Sequence, residues 1–133
     1  MSTAAIRALG WTVFLTRTGL GRAAAGLPLT EQQLDAIEGL VAAHEESQSA
    51  EDADSALRRV RSRKKTASIY CLSASFAFRD GSASNEAAEI GELSMLLRAV
   101  YPAIKESRSI DKEHLERSIE VSRSILSALS KTA

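Results

Sequence analysis

The segment 90–129, IGELSMLLRAVYPAIKESRSIDKEHLERSIEVSRSILSAL, contains the most regular apolar pattern in the chain. Apolar residues recur at spacings of three and four, which is typical of amphipathic helices. The repeating residues of the first half are Ile90, Leu93, Leu97, Val100 and Ile104, widened by Leu96 and Tyr101. Those of the second half are Leu115, Ile119, Ser122, Leu126 and Leu129. The segment therefore predicts two consecutive helices.

Capping residues mark where these two helices start. Ser84 precedes a run with Glu86, Glu89 and Glu92 in its early turns, where the helix dipole favours acidic side chains. Asp111 is placed to cap the final helix. The connection between the helices is short, so we expect them to form an antiparallel helical hairpin at the end of the chain.

A further helix is predicted from the stretch LPLTEQQLDAIEGLVAAH, which begins at Leu27. Thr30 and Gln33 form the sequence pattern of a capping box. The apolar stripe that follows is Leu34, Ile37, Leu40, Val41 and His44. The stripe ends in a polar stretch, so residues 45–52 are predicted to be a loop.

Two conformations compete for the middle of the chain. Apolar residues keep a helical spacing from Leu57 to Phe78, which favours a third helix beginning near Asp52 or Asp54. The subsegment 68–78, SIYCLSASFAF, also alternates as a strand would. A single strand would have no partner elsewhere in the chain, so we expect a helix.

The N-terminal residues 1–28 are expected to form a helix and turn, which in one interpretation is mobile. Ile6, Leu9, Val13 and Leu20 are predicted to face inward, with Trp11 and Phe14 beside them. Residues 1–30 contain three arginines and no acidic residue, which also resembles an organellar transit peptide in composition.

Taken together, the patterns predict an all-α fold: one domain over residues 1–133, a compact bundle of four to five helices. The core must be mainly aliphatic, because only six of the 133 residues are aromatic. The single cysteine, Cys71, excludes an internal disulfide and favours a cytoplasmic location, with organellar import as the alternative. No apolar run reaches the roughly 20 residues of a transmembrane helix.

Charges are sorted along the chain although 17 basic and 17 acidic residues cancel. Residues 31–56 contain eight acids and no Lys or Arg. The run that follows is basic, at Arg58, Arg59, Arg61, Arg63, Lys64 and Lys65. This run could bind a polyanion, or it could pair with the acidic residues within the chain or across a dimer.

Reactive groups are too few to indicate catalysis. His44, His114 and Cys71 are the only histidines and cysteine, and no phosphate-binding loop or HExxH motif is present. Asp111 and His114 have the spacing of a carboxylate metal site, but one histidine does not complete such a site. We therefore expect no enzymatic activity, no metal and no cofactor.

Two functions remain as hypotheses. The first is a protein–protein interaction module, such as a small regulator, inhibitor or accessory subunit, that also forms a homodimer. The apolar stripes support it, because they are wider than one small bundle needs to bury. The alternative is a nucleic-acid-binding regulator that uses the basic segment 58–65, mostly through phosphate contacts.

Overall fold

A computed structural model describes residues 3–49 and 84–132, and the secondary structure in these ranges is entirely α-helical. The helices are α1 (Thr3–Ala24), α2 (Glu31–Ser49), α3 (Ser84–Lys105) and α4 (Lys112–Thr132). The all-α prediction is confirmed for these residues. The element predicted between residues 52 and 78 lies outside the described ranges.

The four helices form a ring in which each helix packs on the next and α4 packs back on α1. The turns 25–30 and 106–111 have six residues each and can extend about 20 Å, less than the roughly 30 Å length of the helices that they join. Both joined pairs therefore run in opposite directions. The Lys105 ammonium, at the end of α3, lies 3.9 Å from the Glu38 carboxylate in the first half of α2, so these helices are antiparallel too.

Each helix contributes one apolar stripe to a shared core. The predicted stripe of α3 is confirmed, because Ile90, Leu93, Leu97 and Val100 are buried and Ile104 packs against them. No helix in residues 3–49 and 84–132 is long and apolar enough to cross a membrane.

The stripe of α4 differs from the prediction. Ser118 and Ile125 are fully buried, whereas Ile119 and Leu126, which the heptad pattern placed in the core, are only partly buried at its edge. The buried pair and the predicted pair each have a spacing of seven residues, and the buried pair lies one residue earlier in the sequence. The pattern favoured the larger apolar side chains, while the bundle buries the small Ser118, whose hydroxyl donates to the His114 carbonyl.

Small hydroxyl residues occupy several core positions. Thr16, Ser118 and Ser122 are fully buried, and each donates a hydrogen bond to a carbonyl of its own helix. The buried Ser94 hydroxyl of α3 donates to the Leu40 carbonyl of α2, at 3.3 Å. Among the described residues, no buried side-chain nitrogen or oxygen lacks a hydrogen-bond partner. Short side chains thus allow close helix packing without an unsatisfied polar group.

The predicted start of α2 is confirmed, but its predicted end is wrong. The Gln33 amide N–H donates to the Thr30 hydroxyl at 3.2 Å, and the Gln33 side chain accepts from the Thr30 amide at 2.9 Å, which completes the capping box. The helix then continues to Ser49, into the segment 45–52 that was predicted to be a loop. Glu45, Glu46 and Gln48 favour helix, and no Gly or Pro interrupts this stretch. Residues 50–52 lie outside the described ranges.

The turns 25–30 and 106–111 each contain one residue in the left-handed backbone conformation. Gly26 has φ 73° and Ser107 has φ 54°. In the first turn the Leu27 amide donates to the Arg22 carbonyl, and in the second the Arg108 amide donates to the Ala103 carbonyl, both at 2.8 Å. Each turn therefore ends its helix with a Schellman motif.

Helices α1 and α2 approach closely at Gly19. A Cβ atom added there would lie 3.1 Å from Gln33 Cβ and 3.1 Å from Leu29 Cδ2. Gln33 has little freedom to move, because its side chain also donates to the Thr18 hydroxyl at 3.2 Å. A Cβ atom added at Gly21, one half-turn further along α1, would meet no atom within 4 Å.

We expect Gly19→Ala and Gly21→Ala to change stability in opposite directions. Gly21→Ala should raise the free energy of unfolding by roughly 0.5–1 kcal/mol, because alanine restricts the unfolded chain and favours helix. Gly19→Ala should lower it by about 1 kcal/mol, because the new methyl group overpacks the interface with α2. Urea unfolding followed by circular dichroism measures both. An equal gain in the two variants would contradict the close approach at Gly19.

We expect Ser107→Gly to raise the free energy of unfolding by about 1 kcal/mol, because glycine adopts the left-handed conformation without the steric cost that serine bears. Gly26→Ala is the matched control and should lower it by a similar amount. The same unfolding measurement applies. A destabilised Ser107→Gly variant would mean that the serine side chain has a structural role in the turn.

Candidate functional site

The residues that the sequence suggested for polyanion binding lie outside the described ranges. They are Arg58, Arg59, Arg61, Arg63, Lys64 and Lys65. Cys71 lies in the same part of the chain. Binding of nucleic acid by this segment therefore stays a prediction, and the candidate sites below come from surfaces that sequence patterns did not identify.

The first candidate is the outward side of α1, where two aromatic side chains stack in solvent. The rings of Trp11 and Phe14 have centroids 5.6 Å apart and an interplanar angle of 20°. Trp11 is 56% exposed and Phe14 is 42% exposed. Arg7, four residues before Trp11, is exposed, and Arg17, three residues after Phe14, is half-buried. We call these four residues the α1 aromatic surface.

Helix geometry explains why these rings face outward. Leu9, Val13 and Leu20 are fully buried and define the inner side of α1. At 100° per residue, Trp11 and Phe14 fall on nearly the opposite side of the helix. The prediction that both rings lie beside the buried stripe is therefore wrong. The sequence signal for their exposure is the helical position of Trp11 and Phe14 relative to Leu9, Val13 and Leu20.

The second candidate is a groove of about 470 Å³ between the two turns at one end of the bundle. We call it the turn groove. Its apolar lining residues are Ala23, Leu27, Pro28, Leu29, Leu34, Ala103, Ile104 and Ile110. Leu27 is 51% exposed, so part of this apolar surface contacts solvent. The groove brings together residues about 80 positions apart, which is why no local sequence pattern predicted it.

Cationic side chains also line the turn groove. Lys105 and Arg108 are among its lining residues, and none of the lining residues is acidic. The Lys105 ammonium lies 3.9 Å from Glu38, and the Arg108 guanidinium pairs with Glu106. Both cations are about 60% exposed, and ion pairs of this kind contribute between zero and about 1 kcal/mol.

Glu38 links the groove to the α2–α3 interface. The pKa of Tyr101 is raised above its usual value, mainly by burial and then by a hydrogen bond to the Glu38 carboxylate. The Lys105 ammonium lies 5.7 Å from the centre of the Tyr101 ring. The phenol therefore stays protonated near neutral pH and helps to hold Glu38 in place beside Lys105.

The pair Asp111 and His114 caps α4. The His114 amide donates to the Asp111 carboxylate at 3.1 Å, and the His114 ring nitrogen Nδ1 lies 3.2 Å from the same oxygen. These two contacts lower the pKa of Asp111, the amide hydrogen bond more than the side chain. In the described residues, no group of three or more His, Cys, Asp or Glu side chains could hold a metal ion.

Asp111→Asn should make stability less sensitive to acid. The lowered pKa means that the carboxylate stabilises the fold above its ordinary value of 3.8, and this contribution is lost as the pH falls through the lower folded-state value. Asparagine caps helices without titrating. We expect a smaller decrease in the urea midpoint from pH 7 to about pH 3 in the variant. An identical decrease would contradict the role of the carboxylate.

Comparison of this chain with protein families, with curated proteins and with solved structures gave no match. The function must therefore be inferred from the chain's own surfaces. The α1 aromatic surface and the turn groove both combine exposed apolar groups with nearby cations.

Proposed function

We propose that this protein is a non-enzymatic helical interaction module, such as a small regulator, inhibitor or accessory subunit, and that it binds a partner protein through the α1 aromatic surface. The observation that carries the proposal is the stacked, exposed pair Trp11 and Phe14. The chain has six aromatic residues, and placing two of them together in solvent has no benefit for the core. Aromatic residues of this kind commonly dominate binding energy at protein interfaces.

Covering this surface would contribute a substantial part of the free energy of binding. A Trp or Phe side chain covers roughly 150–250 Å², and about half of each is exposed here. Burying that half of both rings removes on the order of 200 Å² from water, which contributes about 5 kcal/mol. The rings are already stacked on each other, so little side-chain entropy is lost when a partner covers them.

The charge pattern favours an acidic partner. Arg7 and Arg17 flank the two rings, and residues 1–30 contain no acidic residue. An amphipathic helix with apolar residues at its centre and carboxylates near its ends would complement both the rings and the arginines. Such a partner would associate faster at low salt, because opposite charges steer the encounter.

A second copy of the chain fits the same surface poorly. If two α1 helices packed antiparallel about the midpoint between Trp11 and Phe14, Arg7 of one copy would lie near Arg17 of the other, since each is about five residues from that midpoint. A parallel arrangement would place Arg7 near Arg7. Like charges in direct opposition are destabilising, so we propose that the homodimer uses another surface.

The outer side of α3 offers that surface for self-association. Met95 is 65% exposed, and Ala99 and Pro102 are exposed on the same side of the helix. Light scattering of the purified protein over a range of concentrations tests the dimer.

The proposal extends to the whole chain. We propose one cytoplasmic domain over residues 1–133, with four to five helices and a final antiparallel hairpin of α3 and α4.

The partner is identified by comparing capture on three forms of the protein. Wild type, the double variant Trp11→Ala/Phe14→Ala and the control Glu116→Ala/Arg123→Ala are immobilised, and retained proteins are quantified by mass spectrometry. All four substitutions remove exposed side chains, so the fold should be unchanged. We expect an acidic protein to be retained by wild type and by the control but lost from the double variant.

The captured protein is then purified and titrated calorimetrically. We expect the double variant to bind at least about tenfold more weakly, since truncating an interface hot spot costs 2 kcal/mol or more. Affinity that is equal for wild type and the double variant would contradict the proposed surface. If no captured protein depends on Trp11 and Phe14, the interaction function fails.

The nucleic-acid alternative is tested in parallel. Its supporting feature is the density of the basic run, six cations in residues 58–65. A labelled random DNA duplex is titrated with wild type and with an Arg61→Glu, Lys64→Glu, Lys65→Glu triple variant at two salt concentrations. Micromolar binding that weakens steeply with salt and is absent in the triple variant would favour the alternative over the proposed function.

A further inference from the structure

We propose that the turn groove is a binding site for an amphipathic monocarboxylate, a small molecule with an unbranched apolar chain and one terminal carboxylate. The volume of about 470 Å³ lies within the usual range for small-molecule sites. The proposal does not depend on the α1 aromatic surface. Trp11 and Ala23, the α1 residue that lines the groove, are separated by about 18 Å along the helix.

The apolar chain would contact the floor of the groove. Leu29 and Leu34 line it from the side of α1 and α2, and Ile104 and Ile110 line it from the side of α3 and α4. These residues are apolar, and they suit an unbranched alkyl chain because such a chain has no hydrogen-bond donor or acceptor. Covering this surface would also remove the 51% exposed Leu27 side chain from water.

The carboxylate would bind at the cations. Lys105 and Arg108 are the charged lining residues, and no lining residue is acidic, so an anion is favoured over a cation of the same shape. Arg108 offers a planar fork of donors that matches a carboxylate, and its present partner, Glu106, is exposed. The exposed pair of Arg108 and Glu106 contributes little to stability, so its replacement by a ligand carboxylate costs little.

The backbone of the groove is fixed before a ligand arrives. The Schellman motifs at Gly26 and Ser107 hold both turns, and the Arg22 guanidinium donates to the Pro28 carbonyl at 2.7 Å. Lys105 is also held near Glu38. A site with preset walls loses less conformational entropy on binding, which suits a small ligand with few contacts.

The test uses decanoate as the probe and methyl NMR as the readout. The full-length protein, labelled at Leu and Ile methyl groups, is titrated with decanoate at neutral pH below its micelle concentration. Decyltrimethylammonium, which has the same chain and the opposite charge, is titrated in parallel. We expect saturable shifts at the methyl groups of Leu29, Ile104 and Ile110 with decanoate, and binding at least about fivefold weaker with the cationic probe.

Two double variants assign the role of the cations. Lys105→Gln/Arg108→Gln removes two charges from the groove, and Arg98→Gln/Arg123→Gln removes two charges from exposed positions that do not line it. All four side chains are on the surface, so both variants should fold. We expect decanoate affinity to fall about fivefold or more in the groove variant and to change less than twofold in the control.

Three results would overturn the proposal. The first is the absence of saturable shifts at the groove methyl groups. The second is equal binding of the anionic and cationic probes, which would show general apolar adsorption. The third is an equal loss of affinity in the two double variants, which would show that only net charge matters.

Discussion

Close packing of four helices around one aliphatic core is the constraint on which the rest of the structure depends. Within residues 3–49 and 84–132, the largest fully buried side chains are mainly Leu, Ile and Val, and none is aromatic. Helices must therefore approach closely, and residues without bulky side chains allow it, as at Gly19 and Ser94. Buried Ser and Thr residues donate hydrogen bonds from their hydroxyl groups to nearby backbone carbonyls. Their side chains are therefore small enough for the core and leave none of these buried hydroxyls without a partner.

Both candidate surfaces follow from how the helices are arranged around this core. Trp11 and Phe14 lie on the solvent side of α1, away from the residues that this helix buries. The two short turns bring the ends of both hairpins to one end of the bundle, where they enclose the turn groove. The surfaces lie on different parts of the molecule, so a protein and a small ligand could be bound together without competing for the same residues.

Interactions between residues close in sequence predicted much of the fold but little of the candidate sites. The capping box at Thr30, the cap at Asp111 and the stripe of α3 could be read from the sequence because they depend on residues within one helix. The burial of Ser118 and Ile125 rather than Ile119 and Leu126 could not, because it depends on which side α4 turns toward the other helices. The turn groove depends on two distant turns, so its shape is a tertiary property.

The position of Trp11 has a spectroscopic consequence. It is the chain's single tryptophan, and 56% of it is exposed beside Phe14 rather than enclosed in the core. Its emission in the folded protein should already resemble that of a solvated indole, so intrinsic fluorescence would respond weakly to unfolding of the bundle. The same signal would shift to shorter wavelength when a partner covers α1, which makes this residue a natural reporter of association.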